Sequence, residues 1–167
     1  LLQPLSARYL DLIGSRVRTE MASAVRAGVE SRQQAEQVLA AWAAAVAQVR
    51  NDGSVPDALP AGLSAIVNPD NVKAVAEADA IDPLELAARI PAGTPVLLTC
   101  SDSDGQATCT GMAALVRALA NTDLDFAELT GVNHVLRDDP TDNVANYAEA
   151  GPLSSQLTVA LDRFVTR

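Results

Sequence analysis

The sequence predicts an α/β chain: a helical cap and connecting segment at residues 1–80, then a β-loop-α-β-loop-α segment at residues 81–167. Three observations carry this. Apolar residues recur at spacings of three and four between Leu10 and Val49, the stripe of amphipathic helices. Pro95-Val96-Leu97-Leu98-Thr99-Cys100 is a short continuous apolar run, as expected of a strand covered on both faces of a parallel sheet. A second run, Leu124-Asp125-Phe126-Ala127-Glu128-Leu129, follows a helical pattern, which is the order of a right-handed parallel crossover.

Taken in order, Leu10, Ile13, Val17, Met21 and Val25 form one face of a first helix, ended near Gly28. Ser31 and Gln34 have the spacing of a capping box for a second helix, whose face is Leu39, Trp42, Val46 and Val49 and which stops at Asn51-Asp52-Gly53. The turn between them is short, so the two helices should pack as a hairpin. Pro56, Pro60 and Pro69 break the next stretch into pieces, with one helix at residues 71–78. Asp82-Pro83-Leu84-Glu85 supplies a cap, a first-turn proline and an acidic first turn for a short helix ending near Ile90. After the first strand come an acidic loop, a helix through Ala113, Leu115, Val116 and Leu119, and the second strand. A loop at residues 131–142 and two closing helices, at residues 143–150 and 153–165, complete the chain. Two strands are too few for a stable open sheet, so further strands are expected from a second chain or from a larger whole.

Composition excludes several classes. A net charge of −9 without a cluster of Lys or Arg removes the attraction that drives nucleic-acid binding, and it disfavours anionic membranes. No run approaches the roughly 18 apolar residues of a membrane span. Leu1 is not a start methionine, so a processed or truncated chain is expected.

Two loops carry the chemistry. Ser101-Asp102-Ser103-Asp104-Gly105 follows the first strand, and Gly131-Val132-Asn133-His134 follows the second. In a parallel pair both would emerge at the same end of the sheet. His134 is the only histidine of the chain. This second half resembles the C-terminal part of an α/β-hydrolase of the esterase/lipase/lysophospholipase kind, in which the triad acid follows the penultimate long strand and the histidine follows the last. The hairpin resembles the helical cap inserted before them. The resemblance spans most of residues 5–167, with its motifs confined to residues 82–139.

It implies His134 as general base and Asp104 as the acid that orients it, with Asp102 in reserve. It also implies a nucleophilic serine on a G-x-S-x-G turn. No such turn is present. Gly62-Leu63-Ser64-Ala65-Ile66 lacks the last glycine, follows Pro60 rather than a strand, and is rejected. The serine and the oxyanion-hole amides would then come from an N-terminal part of the same hydrolase, as a missing segment or a separate chain. The substrate class implied is a small-molecule ester or lipid, with no cofactor.

Cys100 and Cys109 bracket the acid loop. If their Cα atoms approach within about 7 Å a disulfide is possible, which favours an exported or cell-envelope protein; two reduced cysteines would favour the cytoplasm. Trp42, Leu39 and Val46 either line an acyl pocket of the cap or pack the hairpin itself. Asp102-Ser103-Asp104-Gly105 lacks the spacing and the twelfth-position glutamate of a calcium loop, and Asp138, Asp139 and Asp142 read as solvated charges, so no metal site is expected. The competing class is a non-catalytic α/β module that binds a partner or an apolar ligand.

Overall fold

A computed structural model describes the chain from Leu1 to Arg167, leaving aside the side chain of Ala61. The architecture is mixed α/β with a two-stranded parallel sheet, and the chain divides into a helical unit, Ala7–Asp82, and a sheet unit made of Leu1–Ser6 and Pro83–Arg167. Among the described residues no helix is long and apolar enough to cross a membrane.

In the helical unit, α1 (Tyr9–Arg26) and α2 (Arg32–Asp52) form the hairpin, followed by α3 (Ala61–Ser64) and α4 (Val72–Asp79). Ser31 and Gln34 form the capping box expected of them, each side chain accepting the other's backbone N–H. Gly53 closes α2 with φ of 64°, a left-handed cap that glycine adopts without a Cβ penalty. Leu10, Val17, Trp42, Val49, Leu63, Val67 and Val75 are the buried core of this unit. Gly14 lets the hairpin close, because a Cβ there would stand 2.9 Å from Trp42 Nε1.

One carboxylate ties three of these helices together. Asp79, at the end of α4 with its side chain only 1% exposed, accepts the Leu10 N–H of α1 at 2.8 Å and Arg50 Nε of α2 at 2.8 Å. Arg8 reaches the same carboxylate at 3.1 Å. Burial pushes the Asp79 carboxyl up, but Arg50, the Leu10 N–H and Arg8 outweigh it and hold it below the usual carboxylate value.

In the sheet unit the order is α5 (Pro83–Ala88), β1 (Pro95–Ser101), a 3₁₀ turn (Cys109–Met112), α6 (Ala113–Ala118), β2 (Asp123–Leu129), a second 3₁₀ turn (Val144–Ala148) and α7 (Ser155–Val165). β1 and β2 pair in parallel, from Pro95 opposite Asp123 to Ser101 opposite Leu129. Alternation along β1 sends Val96, Leu98 and Cys100 into one core with Ala87, Met112, Leu115 and Leu119. Leu129, Val132 and Leu157 form a second cluster that seats α7.

The structure departs from the sequence reading at two places. Leu1–Ser6 belong with the sheet: Leu2 bridges Thr99 in parallel, Thr99 donates its N–H to Leu1 O at 3.0 Å, and Gln3 donates to Thr99 O at 3.2 Å. β1 thus has a neighbour on each edge. The second departure is at residues 143–150, expected as a helix but formed only as a 3₁₀ turn. Asn143 accepts the Ala145 N–H and Asn146 donates to Asp139, local side-chain bonds that draw the segment away from an α-helical ladder.

Candidate active site

β1 and β2 end side by side, at Ser101 and Leu129, so the loops that follow them leave the same end of the sheet. Two fastenings hold the first loop. Cys100 and Cys109 are joined in a disulfide with Cα atoms 4.9 Å apart, which closes the loop at its base. Inside the loop, Asp104 Oδ1 accepts the Gln106 N–H at 2.7 Å and the Ala107 N–H at 3.0 Å. These bonds turn the fully buried carboxylate into a fixed element.

Its second oxygen meets the histidine. Asp104 Oδ2 lies 3.0 Å from His134 Nδ1, and the His134 side chain is 32% exposed. With Oδ1 committed to two backbone donors, the pair is arranged for the ring to donate its Nδ1 proton to the carboxylate. The neutral ring then carries its lone pair on Nε2. Among the described residues no group hydrogen-bonds Nε2. The arrangement is that of a base oriented by a buried acid.

Asp102 does a different job. It is exposed, and its Oδ1 accepts the Gly131 N–H at 2.8 Å, bonding the acid loop to the start of the histidine loop. That bond, with a second from Ser103, holds its carboxyl below the usual value. Gly131 sits at φ of 66°, where the chain turns out of β2. Ser101 Oγ accepts from both sides, taking the Ser103 N–H at 3.1 Å and the Val132 N–H at 3.3 Å.

Of the three residues expected as solvated charges, Asp138 is exposed, whereas Asp139 and Asp142 are the loop's internal scaffold. Asp142 Oδ2 accepts the Gly105 N–H at 2.9 Å and its Oδ1 accepts the His134 N–H at 3.0 Å, so one carboxylate bridges both loops at the residues beside the acid–base pair. Tyr147 donates its hydroxyl to the same carboxylate, and its ring lies 6.4 Å from that of His134. Partial burial pushes the Asp142 carboxyl up, but the donors from Tyr147, His134 and Gly105 win and it sits below the usual value. The Tyr147 hydroxyl is pushed up to about 12, by burial and then by the neighbouring Asp142. Asp139 accepts from Thr141, Asn146 and Asn133 and is held down at about 2. Asn133, buried, accepts the Val135 and Arg137 N–H groups and so sets the turn around His134. A carboxylate-rich loop at high acid content reads as solvation in sequence; only its spacing around His134 hints otherwise.

No family model, curated protein or solved structure matches the chain. Of the residues singled out in the sequence, the fold brings together Asp104 with His134 and Cys100 with Cys109. Trp42, Leu39 and Val46 belong to the helical unit, where Trp42 is core and all three border a cleft of about 480 Å³ between α1 and α2. Among the described residues no group of three or more His, Cys, Asp or Glu is placed to hold a metal ion.

Proposed function

We propose that the chain is the C-terminal part of a serine α/β-hydrolase acting on carboxylic esters, supplying the acid, the histidine and the helical cap. The observation that carries this reading is the 3.0 Å contact between His134 Nδ1 and the fully buried Asp104 carboxylate, at the mouth of a parallel strand pair. A structural histidine has no need of a buried carboxylate fixed by two backbone donors. A base that must become an imidazolium does.

In this mechanism Nε2 of His134 removes the hydroxyl proton as a serine oxygen bonds to the ester carbonyl carbon. The imidazolium is stabilised by Asp104, which stays ionised. The proton then passes to the departing alkoxide, and the same cycle with water releases the acid product. The sequence holds no G-x-S-x-G turn, so the serine and the oxyanion amides belong to an N-terminal part outside these 167 residues. The Cys100–Cys109 disulfide favours an exported or cell-envelope setting.

The missing nucleophile favours a second reading, a non-catalytic module that binds a partner or an apolar ligand. A fluorophosphonate probe separates the two. Native material carrying the upstream polypeptide should label on a serine and turn over a short-chain ester, and His134→Ala should abolish turnover. A 17 kDa chain isolated from its native source without any labelled partner would instead establish the binding module.

A further inference from the structure

We propose that Gln3 is a positioning residue for the Asp104–His134 pair, an inference that rests on reading that pair as acid and base. Gln3 lies on the strand-like segment beside β1, 94% buried. Its backbone N–H is anchored by both Thr99 O and Thr99 Oγ1, each at 3.2 Å. Its φ is 43°, a left-handed conformation that a non-glycine residue keeps only where its surroundings over-determine it.

The side chain explains the constraint. Its amide nitrogen lies 3.1 Å from Asn133 O, 3.1 Å from His134 O and 3.3 Å from Asp104 Oδ2. All three neighbours are acceptors, so the nitrogen end must face them; the amide oxygen there would be repelled by each. One neutral donor group therefore grips the carbonyl of the histidine and the very carboxylate oxygen that the histidine ring approaches. Ring and acid are referenced to a common point on the strand next to β1. Gln3 carries no ionisable proton of its own, so it steadies the carboxylate without competing for the charge. It touches neither substrate nor reacting atom, and it acts through Asp104 and the histidine backbone.

Because His134 is the only histidine, its ring resonances can be read without ambiguity in the 167-residue protein by proton and nitrogen NMR. The probe is the Nδ1–H signal, its chemical shift and its exchange rate, compared across Gln3→Met, Gln3→Asn and Asp104→Asn. Gln3→Met keeps the length but loses the donor; Gln3→Asn keeps the donor but falls one methylene short. Both should exchange the Nδ1 proton about tenfold faster, the worth of roughly one neutral hydrogen bond. Asp104→Asn should abolish the bond and with it the slowly exchanging Nδ1–H signal. If Gln3→Met fails to fold, Gln3→Asn alone decides. Wild-type exchange in a folded Gln3 variant, with Asp104→Asn still responding, would overturn the role of Gln3 and leave the acid–base pair standing. No response to Asp104→Asn would overturn the pair itself, and Gln3 with it.

Discussion

Asp102 and Gly131 are joined by a 2.8 Å hydrogen bond from the glycine N–H to the carboxylate, while Asp104, two residues on, takes the histidine ring. Adjacent carboxylates on one loop thus have separate duties: Asp102 fixes where the histidine loop begins, and Asp104 fixes the ring it delivers.

On the proposed hydrolase reading, this division predicts unequal effects in the complete protein. Asp104→Asn should lower ester turnover by about 10⁴-fold, the scale seen when a triad acid is made neutral. Asp102→Asn keeps an oxygen able to accept the Gly131 N–H and should cost far less. Steady-state kinetics on both variants checks this, and near-equal losses would contradict the assignment.

The disulfide predicts a redox-dependent stability. Closing so short a loop should contribute about 2–3 kcal/mol. Chemical denaturation with and without reductant should show that difference, and thiol titration of the unfolded, unreduced chain should find no free thiol. Paired Cys100→Ala and Cys109→Ala substitutions should reproduce the reduced protein.

Tyr147 and Asp142 predict a pH effect at the alkaline end. A phenol whose folded pKa is raised to about 12 favours the folded state fully below its ordinary value near 10, and that contribution is lost as pH rises through 12. Ultraviolet titration should show a late tyrosine ionisation near 12, and Tyr147→Phe should remove that late step. Finding the late step intact in Tyr147→Phe would exclude the Asp142 hydrogen bond as its cause.

Asp79 predicts the opposite sign. Its folded pKa is lowered, so its contribution is present above the ordinary carboxylate value and disappears as pH falls through the lower folded one. Replacing it by alanine leaves the buried Leu10 N–H without its acceptor and Arg50 with Asp11 alone, a loss of about 1–3 kcal/mol for an unsatisfied buried donor. Thermal melts of Asp79→Ala across acidic pH should show a large deficit near neutrality that narrows toward strong acid.

Local pattern carried much of the fold. The capping box at Ser31 and Gln34, the Gly53 stop, both strands and the placement of α5, α6 and α7 follow from periodicity and turn chemistry, which act over a few residues. That the loops of Asp104 and His134 leave the same end of the sheet was legible because each follows a recognisable strand, whereas the preference for Asp104 over Asp102 came from the family resemblance alone. Gln3 and Leu2 were not, since their partners lie 96 and 97 residues away and three residues give no period to read. Asp142 was missed for another reason: its sequence neighbourhood is acidic, and only the folded loop reveals that each of its oxygens faces a backbone donor.

The ring of His134 is held by Asp104, its backbone N–H by Asp142 and the turn that follows it by Asn133, all within the sheet unit. Whatever meets Nε2 encounters a base whose orientational freedom has already been surrendered during folding. On the proposed hydrolase reading, an incoming serine need contribute only its hydroxyl and its own placement, because the proton acceptor is already aimed when it arrives.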